Sequence, residues 1–169
     1  MTGAALTTRA ATVADAPAMA DIYNEGIADR VATFETQPRT SEDLMGWFDG
    51  KHPAVVVIDA EGRVVGYAVT FAYADRCCYA GVAEFSVYVR RLHRGQGVGV
   101  AAMNALIAAA EAAGLWKLLS RVFVENIASL ALLRSVGFRQ VGVHEKHAKL
   151  DGVWRDVVAV ERLIEANLD

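Results

Sequence analysis

The stretch Val87-Tyr88-Val89-Arg90-Arg91-Leu92-His93-Arg94-Gly95-Gln96-Gly97-Val98-Gly99 runs directly into the apolar segment Val100 to Ala113. It reads as a strand, a tight glycine turn and a helix. Gly95, Gly97 and Gly99 alternate through the turn; lacking a Cβ, glycine takes positive φ freely and lets the backbone approach a ligand. The helix that follows aims its unpaired N–H groups and the positive end of its dipole back at the turn. Such a construction suits a phosphate or pyrophosphate, which points to a phosphate-bearing cofactor.

What the turn lacks narrows the choice. A P-loop ends in Gly-Lys-Ser/Thr, whereas Gly99 is followed by Val100 and Ala101. A dinucleotide fingerprint needs G-x-G-x-x-G early in a βαβ unit, with an acidic residue some way downstream; here the spacing is G-x-G-x-G, late in the chain.

Outside this stretch, 169 residues suit one domain, 1–169, with a substantial core. A hydrophobic fraction of 54% beside 22% charged residues fits a globular chain rather than a disordered one. A net charge of −3 gives no broad cationic field, so nucleic acid is not an expected partner. Arg90, Arg91, His93 and Arg94 form a local basic cluster beside the turn, where an anion would bind. Met1 to Thr8 lacks the basic and apolar regions of a signal peptide. The apolar run from Val98 to Trp116 is interrupted by Asn104 and Glu111, so no membrane span is expected. Adjacent Cys77 and Cys78 make no disulfide framework and read as reduced thiols in a cytoplasmic protein. His144-Glu145-Lys146-His147 falls one residue short of a metal-binding HExxH and reads as a polar strand end, so no metal is expected.

Periodicity and turn residues predict the rest. Leu6 to Thr12 is a first strand, and Asp15-Ala16-Pro17 opens a helix to about Asp29. Thr40 to Asp43 has capping-box spacing before a second helix through Phe48. A hairpin joins Ala54–Asp59 to Arg63–Tyr73 around Glu61-Gly62. Strand Val82–Arg90 precedes the glycine turn and the long helix. Strand Lys117–Val124, a helix over Ala128–Val136 and two strands near Phe138–Glu145 and Val153–Leu163 complete the chain. The expected fold is a single α/β domain, a mixed and mostly antiparallel sheet flanked by helices.

The strand before the turn carries Phe85, Val87 and Val89 on one face and Glu84, Ser86 and Tyr88 on the other. A central strand in a small domain should be apolar on both faces, so the polar face suggests a binding surface. Glu84 is its only acid. Buried without a cation it would have a raised pKa, suiting a general base for an amine; the alternative is an ion pair with Arg76 or Arg121.

Arg94-Gly95-Gln96-Gly97-Val98-Gly99 resembles the acyl-CoA pyrophosphate loop of the GNAT acetyltransferases, Gln/Arg-x-x-Gly-x-Gly/Ala. Further segments from Ile22 to Val160 resemble the phosphinothricin acetyltransferase branch. They include Ala32-Thr33-Phe34-Glu35-Thr36, Glu84-Phe85-Ser86-Val87-Tyr88-Val89, Asn126-x-x-Ser129-Leu130 and Gly152-Val153-Trp154-Arg155-Asp156-Val157. The resemblance implies an acyl-CoA N-acyltransferase fold and acetyl-CoA as co-substrate. It also implies acetylation of the α-amino group of a small glutamate-like amino acid such as phosphinothricin, methionine sulfoximine, methionine sulfone or arsinothricin.

By the same resemblance Glu84 is the base, and Val87, Tyr88 and Val89 bind the pantetheine arm through backbone groups, one N–H polarising the thioester carbonyl. Arg94, Gly95, Gln96, Gly97, Val98, Gly99 and Val100 hold the pyrophosphate, and Asn126 and Ser129 contact the cofactor arm. Phe34, Arg76 and Tyr79 shape the amino-acid pocket, and the molecule is a homodimer. Two positions depart from the pattern. Leu133 stands where many members carry the tyrosine that protonates the departing thiolate, and Ala74 where many carry an arginine. Other readings are an N-acetyltransferase of a polyamine, aminoglycoside or protein amine, and a non-catalytic acyl-CoA-binding module.

Overall fold

The computed structural model describes residues 5–169. Seven strands, β1 (Thr7–Ala10), β2 (Ala54–Ile58), β3 (Val64–Ala72), β4 (Val82–Val89), β5 (Lys117–Phe123), β6 (Arg139–Leu150) and β7 (Val153–Leu163), form one sheet in the order β1-β2-β3-β4-β5-β7-β6. Only β4 and β5 run parallel; every other pairing is antiparallel.

Helices cover the sheet. α1 (Ala16–Asp29) starts with proline in its first turn and buries Met19, Ile22, Tyr23, Gly26 and Ile27, the i, i+3, i+4, i+7, i+8 stripe of an amphipathic helix. Met19, Ile22, Tyr23 and Ile27 pack with Leu44, Val56, Tyr67 and Val69 on one sheet face, and Gly26 lies against the Tyr88 ring. α2 (Val98–Ala112), built largely from alanine and other good helix formers, buries Ala102, Met103, Leu106 and Ala110 on the other face. α3 (Ile127–Ser135) adds Leu133 to that second core. No helix among the described residues is long and apolar enough to cross a membrane.

Three expectations shift. The helix expected from Thr40 through Phe48 is a 3-10 segment, Glu42–Trp47. Its cap is real, with Thr40 N–H donating to Asp43 Oδ2 at 2.8 Å and Asp43 N–H to Thr40 Oγ1 at 3.4 Å. Yet so short a segment, with Gly46 inside and only Leu44 buried, cannot propagate an α-helix. The apolar run to Trp116 stops at Ala112 because Gly114 turns the chain at φ +77, its N–H bonding Glu111 O and the next N–H, of Leu115, bonding Ala110 O. β6 does not end near Glu145. It continues to Leu150 across a bulge where Lys146 sits at φ +47 and gives its N–H to Asp156 Oδ1 at 2.7 Å.

Candidate active site

The site begins where the sheet comes apart. β4 pairs with β3 along seven positions, from Ala83–Ala72 to Val89–Gly66. Its pairing with β5 stops after three, Val82–Lys117, Ala83–Leu118 and Glu84–Leu119, although both strands continue. Arg90 gives its N–H to Val65 O on β3 at 2.8 Å. Strand groups alternate in direction, so the N–H groups of Val87 and Val89 point the other way, into the gap toward β5. Val89 O there accepts a bond from Arg94 Nε at 3.3 Å.

A cavity of about 620 Å³ occupies this gap. It runs from Val87, Tyr88 and Val89 to the glycine turn, walled by Val31 and Ala32 after α1 and by Ala128, Ser129, Leu132 and Ser135 on α3. Ten of the twelve expected cofactor residues line it: Val87, Tyr88, Val89, Arg94, Gly95, Gly97, Gly99, Val100, Asn126 and Ser129. Gln96 does not; its amide donates to Leu92 O at 3.0 Å and braces the turn. The Val98 side chain is buried in the core, leaving only its backbone near the turn. The glycines divide the work. Gly95 (φ +73) and Gly97 (φ +84) are left-handed with open space where a Cβ would stand, whereas a Cβ on Gly99 would come 2.8 Å from Leu132, so that glycine lets α2 approach α3.

The basic cluster is not free for an anion, as the spacing suggested. Arg91 and Arg94 both clamp Asp29 at the end of α1, at 2.7 and 2.6 Å, Arg90 faces Glu25 at 3.6 Å, and His93 faces Asp59 at 3.8 Å. Burial pushes the Asp29 carboxyl up, but the two guanidiniums outweigh it and hold it below the usual range. Sequence spacing could not show this, because Asp29 and Arg94 meet only through the fold.

The polar face of β4 is also less polar than its sequence. The Tyr88 ring packs edge-on to Tyr23 (5.0 Å) and stacks with Tyr67 (5.6 Å), and burial raises its phenol pKa. Glu84 and Ser86 remain. Glu84 is neither buried nor free of a cation: its side chain is 30% exposed and Oε1 accepts from Arg121 Nη2 at 2.8 Å. Of the two partners the sequence offered, the fold selects Arg121. Beside this pair a recess of about 70 Å³ is lined by Ser86, Ser120, Arg121, Ser129 and Leu133, and shares Ala32, Val87, Tyr88, Asn126 and Ser129 with the larger cavity.

Asn126 is more a structural residue than expected. Its carbonyl caps α3 through Ser129 N–H (3.1 Å), and its amide holds Val31 O (3.2 Å), fixing two walls of the cavity. Leu133, 1% exposed, fills the inner end of the recess. The expected substrate residues are not gathered around the cavity. Phe34 packs edge-on to Phe123 at 4.7 Å, beside Leu150 and Val157. Arg76 and Tyr79 lie on the exposed loop between β3 and β4, where the Tyr79 ring meets Tyr73 at 5.4 Å. No group of three potential metal ligands occurs among the described residues.

A family model described as "Acetyltransferase (GNAT) family" matches residues 19–138. The chain belongs to the GNAT acetyltransferase family. As a GNAT enzyme it is an acetyl-CoA-dependent N-acetyltransferase, with acetyl-CoA as co-substrate. A solved GNAT phosphinothricin acetyltransferase from Sinorhizobium meliloti, in complex with AcCoA, superposes with a TM-score of 0.86 at 30% identity, covering 94% of this chain and 88% of that one. Among curated relatives, the L-methionine sulfoximine/L-methionine sulfone acetyltransferase of Pseudomonas paraeruginosa is 34% identical over 95% of this chain and 94% of its own. The phosphinothricin N-acetyltransferase of Streptomyces coelicolor is 31% identical over 88% of this chain and 90% of its own. The residues present suit acetyl-CoA: a left-handed glycine turn under a helix N-terminus at one end, unpaired strand N–H groups in the middle, and a carboxylate at the other.

Proposed function

We propose that the enzyme acetylates the α-amino group of a small glutamate-like amino acid of the phosphinothricin, methionine sulfoximine, methionine sulfone or arsinothricin type, with Glu84 as general base. The observation that carries this reading is the parting of β4 from β5 beyond Glu84, which leaves unpaired N–H groups next to that carboxylate. In this reading the arm of acetyl-CoA lies along Val87–Val89 as a substitute strand, and one of those N–H groups stabilises the oxyanion that develops on the thioester carbonyl. Backbone N–H groups from Arg94 to Val100, at the N-terminus of α2, hold the pyrophosphate. Glu84 takes a proton from the substrate ammonium, directly or through water, and the free amine attacks. Leu133 supplies no acid; a thiolate is stable enough near neutral pH to depart without one. Phe34 borders the amino-acid side chain, while Arg76 and Tyr79 reach its distal anionic group.

The resemblance also implies a cytoplasmic homodimer, and the β6–β7 hairpin leaves Val141, Val143, Val153 and Trp154 exposed as apolar surface for a second copy.

The test is release of free CoA thiol from acetyl-CoA against phosphinothricin, methionine sulfoximine, methionine sulfone, arsinothricin, spermidine and kanamycin. Release with the glutamate-like compounds alone is the expected result. Release with spermidine or kanamycin instead overturns the substrate class, and silence with acetyl-CoA bound favours a non-catalytic binding module.

A further inference from the structure

We propose that Arg121 and Glu84 form the receptor for the charged head of the substrate, Arg121 taking the α-carboxylate and Glu84 the α-ammonium. This rests on the function proposed above and specifies its substrate as a free α-amino acid whose carboxylate unmasks the base.

The two side chains share one face of the sheet. Glu84 is paired with Leu119, so those two point to the same side, and Arg121 follows Leu119 by two residues on β5. They meet where the strands begin to part, so the guanidinium bridges the mouth of the gap and lines the recess that opens into the acetyl-CoA cavity. Both remain within reach of a solute, at 43% and 30% side-chain exposure. Only one oxygen of Glu84 is engaged; among the described residues nothing bonds Oε2.

A carboxylate held by a guanidinium is a poor receptor for a simple amine. The incoming ammonium must displace a cation from Glu84 while being repelled by that same cation, and nothing then satisfies Arg121. A zwitterion solves both problems. Its ammonium replaces the guanidinium on Glu84, and its carboxylate, one carbon away, receives the released guanidinium in the planar forked geometry that arginine favours. One ion pair becomes two, and Glu84 faces the amine it must deprotonate. Polyamines and aminoglycosides bring no anion, so the same pair discriminates against them. Arg76 makes no ion pair or side-chain hydrogen bond among the described residues, which leaves it for the distal anionic group.

The test compares wild type, Arg121→Gln and Arg121→Lys on methionine sulfone and on its α-carboxamide. Amino-acid binding with CoA present is followed in parallel by calorimetry. Wild type should prefer the free acid. Arg121→Gln should lose on the order of ten- to a hundredfold in kcat/KM on the acid, mostly through KM, as expected for one charge-assisted contact. It should lose nothing on the carboxamide and keep its KM for acetyl-CoA. Arg121→Lys should restore part of the loss, and serves as the test should the glutamine variant fold poorly. Equal losses on both compounds, or an unchanged preference for the acid, would make the pair merely structural and overturn the proposal. If wild type neither acetylates nor binds any free amino acid, the proposed function itself falls and this receptor with it.

Discussion

Glu84 can be picked out of the sequence because it is the one acid on a strand leading into the glycine turn, but its chemistry depends on a residue 37 positions away. The sequence offers Arg121 and Arg76 alike as its partner, and cannot choose between them because nothing in one chain gives the register of β4 against β5. With Glu84 in its proposed role of base, Glu84→Gln should lower kcat by about 10²- to 10⁴-fold, the span of general acid–base contributions. Acetyl-CoA binding, measured by titration, should be unchanged, since no cofactor contact is assigned to that side chain; unchanged turnover would remove Glu84 from the mechanism. A second residue-scale prediction concerns Asp15. Hydrogen bonds from Arg9 at 2.7 and 2.8 Å, with one from Thr12 N–H, outweigh its burial and hold its carboxyl below the ordinary 3.8. A depressed folded pKa gives stability that is complete above the unfolded value and fades as pH falls through the folded one. Asp15→Asn should therefore cost about 1–2 kcal/mol at pH 7, discounted for the half-exposed arginine, with the difference from wild type shrinking below pH 3.8. Urea unfolding at pH 7 and pH 3 measures it; a difference independent of pH would mean that packing, not charge, is lost.

Elements with strong local signals were legible. The strand and glycine turn from Val82 to the start of α2 at Val98 stand within a residue or so of their reading, because glycine spacing and alternation act locally, whereas the helix ends at Ala112 rather than Trp116. The segment after Thr40 misleads because a good cap does not make a helix without an apolar face long enough to bury. β6 outruns its reading because a bulge with left-handed Lys146 carries the strand past the polar run His144–His147, which reads as a strand end. The parting of β4 and β5 left no sequence trace, being a matter of how two distant strands diverge. It makes a prediction at this scale. The N–H groups of Val87 and Val89 face the gap while those of Ser86 and Tyr88 face β3, so free enzyme should exchange amide hydrogens quickly at 87 and 89 and slowly at 86 and 88. CoA should protect Val87 and Val89 selectively. Gly97→Ala, which imposes a Cβ on a residue at φ +84, should cost about 1 kcal/mol in the turn and weaken CoA while leaving that alternation in the free enzyme intact. Uniform exchange across 86–89 would mean the strand edge is covered some other way.

For the whole molecule, the parting of the strands makes the sheet two halves. α1 packs on β3 and β4, α3 follows β5 and packs on α2, and α2 buries its apolar face in the core that both halves share. Beyond that core, the halves are joined by the short β4–β5 pairing, by the Glu84–Arg121 ion pair and by contacts of the segment after α1, Arg30 with Asp151, Val31 with Asn126 and Phe34 with Phe123. In the proposed placement a co-substrate in the gap would touch both halves, Val87–Val89 on one side and Asn126–Ser135 on the other, and would act as a missing strand. Anything that binds only the folded state stabilises it by mass action, about 2.7 kcal/mol at a hundred times the dissociation constant. For a domain of this size that corresponds to a rise of roughly 5–10 °C in the unfolding midpoint. CoA should give such a rise in scanning calorimetry. Adenosine 3′,5′-diphosphate at the same concentration, lacking pyrophosphate and arm, should give clearly less, because it leaves the seam along β4 open. Equal rises from the two ligands would mean that affinity resides wholly outside the gap, and that the unpaired edge of β4 serves to orient the thioester without helping to hold the molecule together.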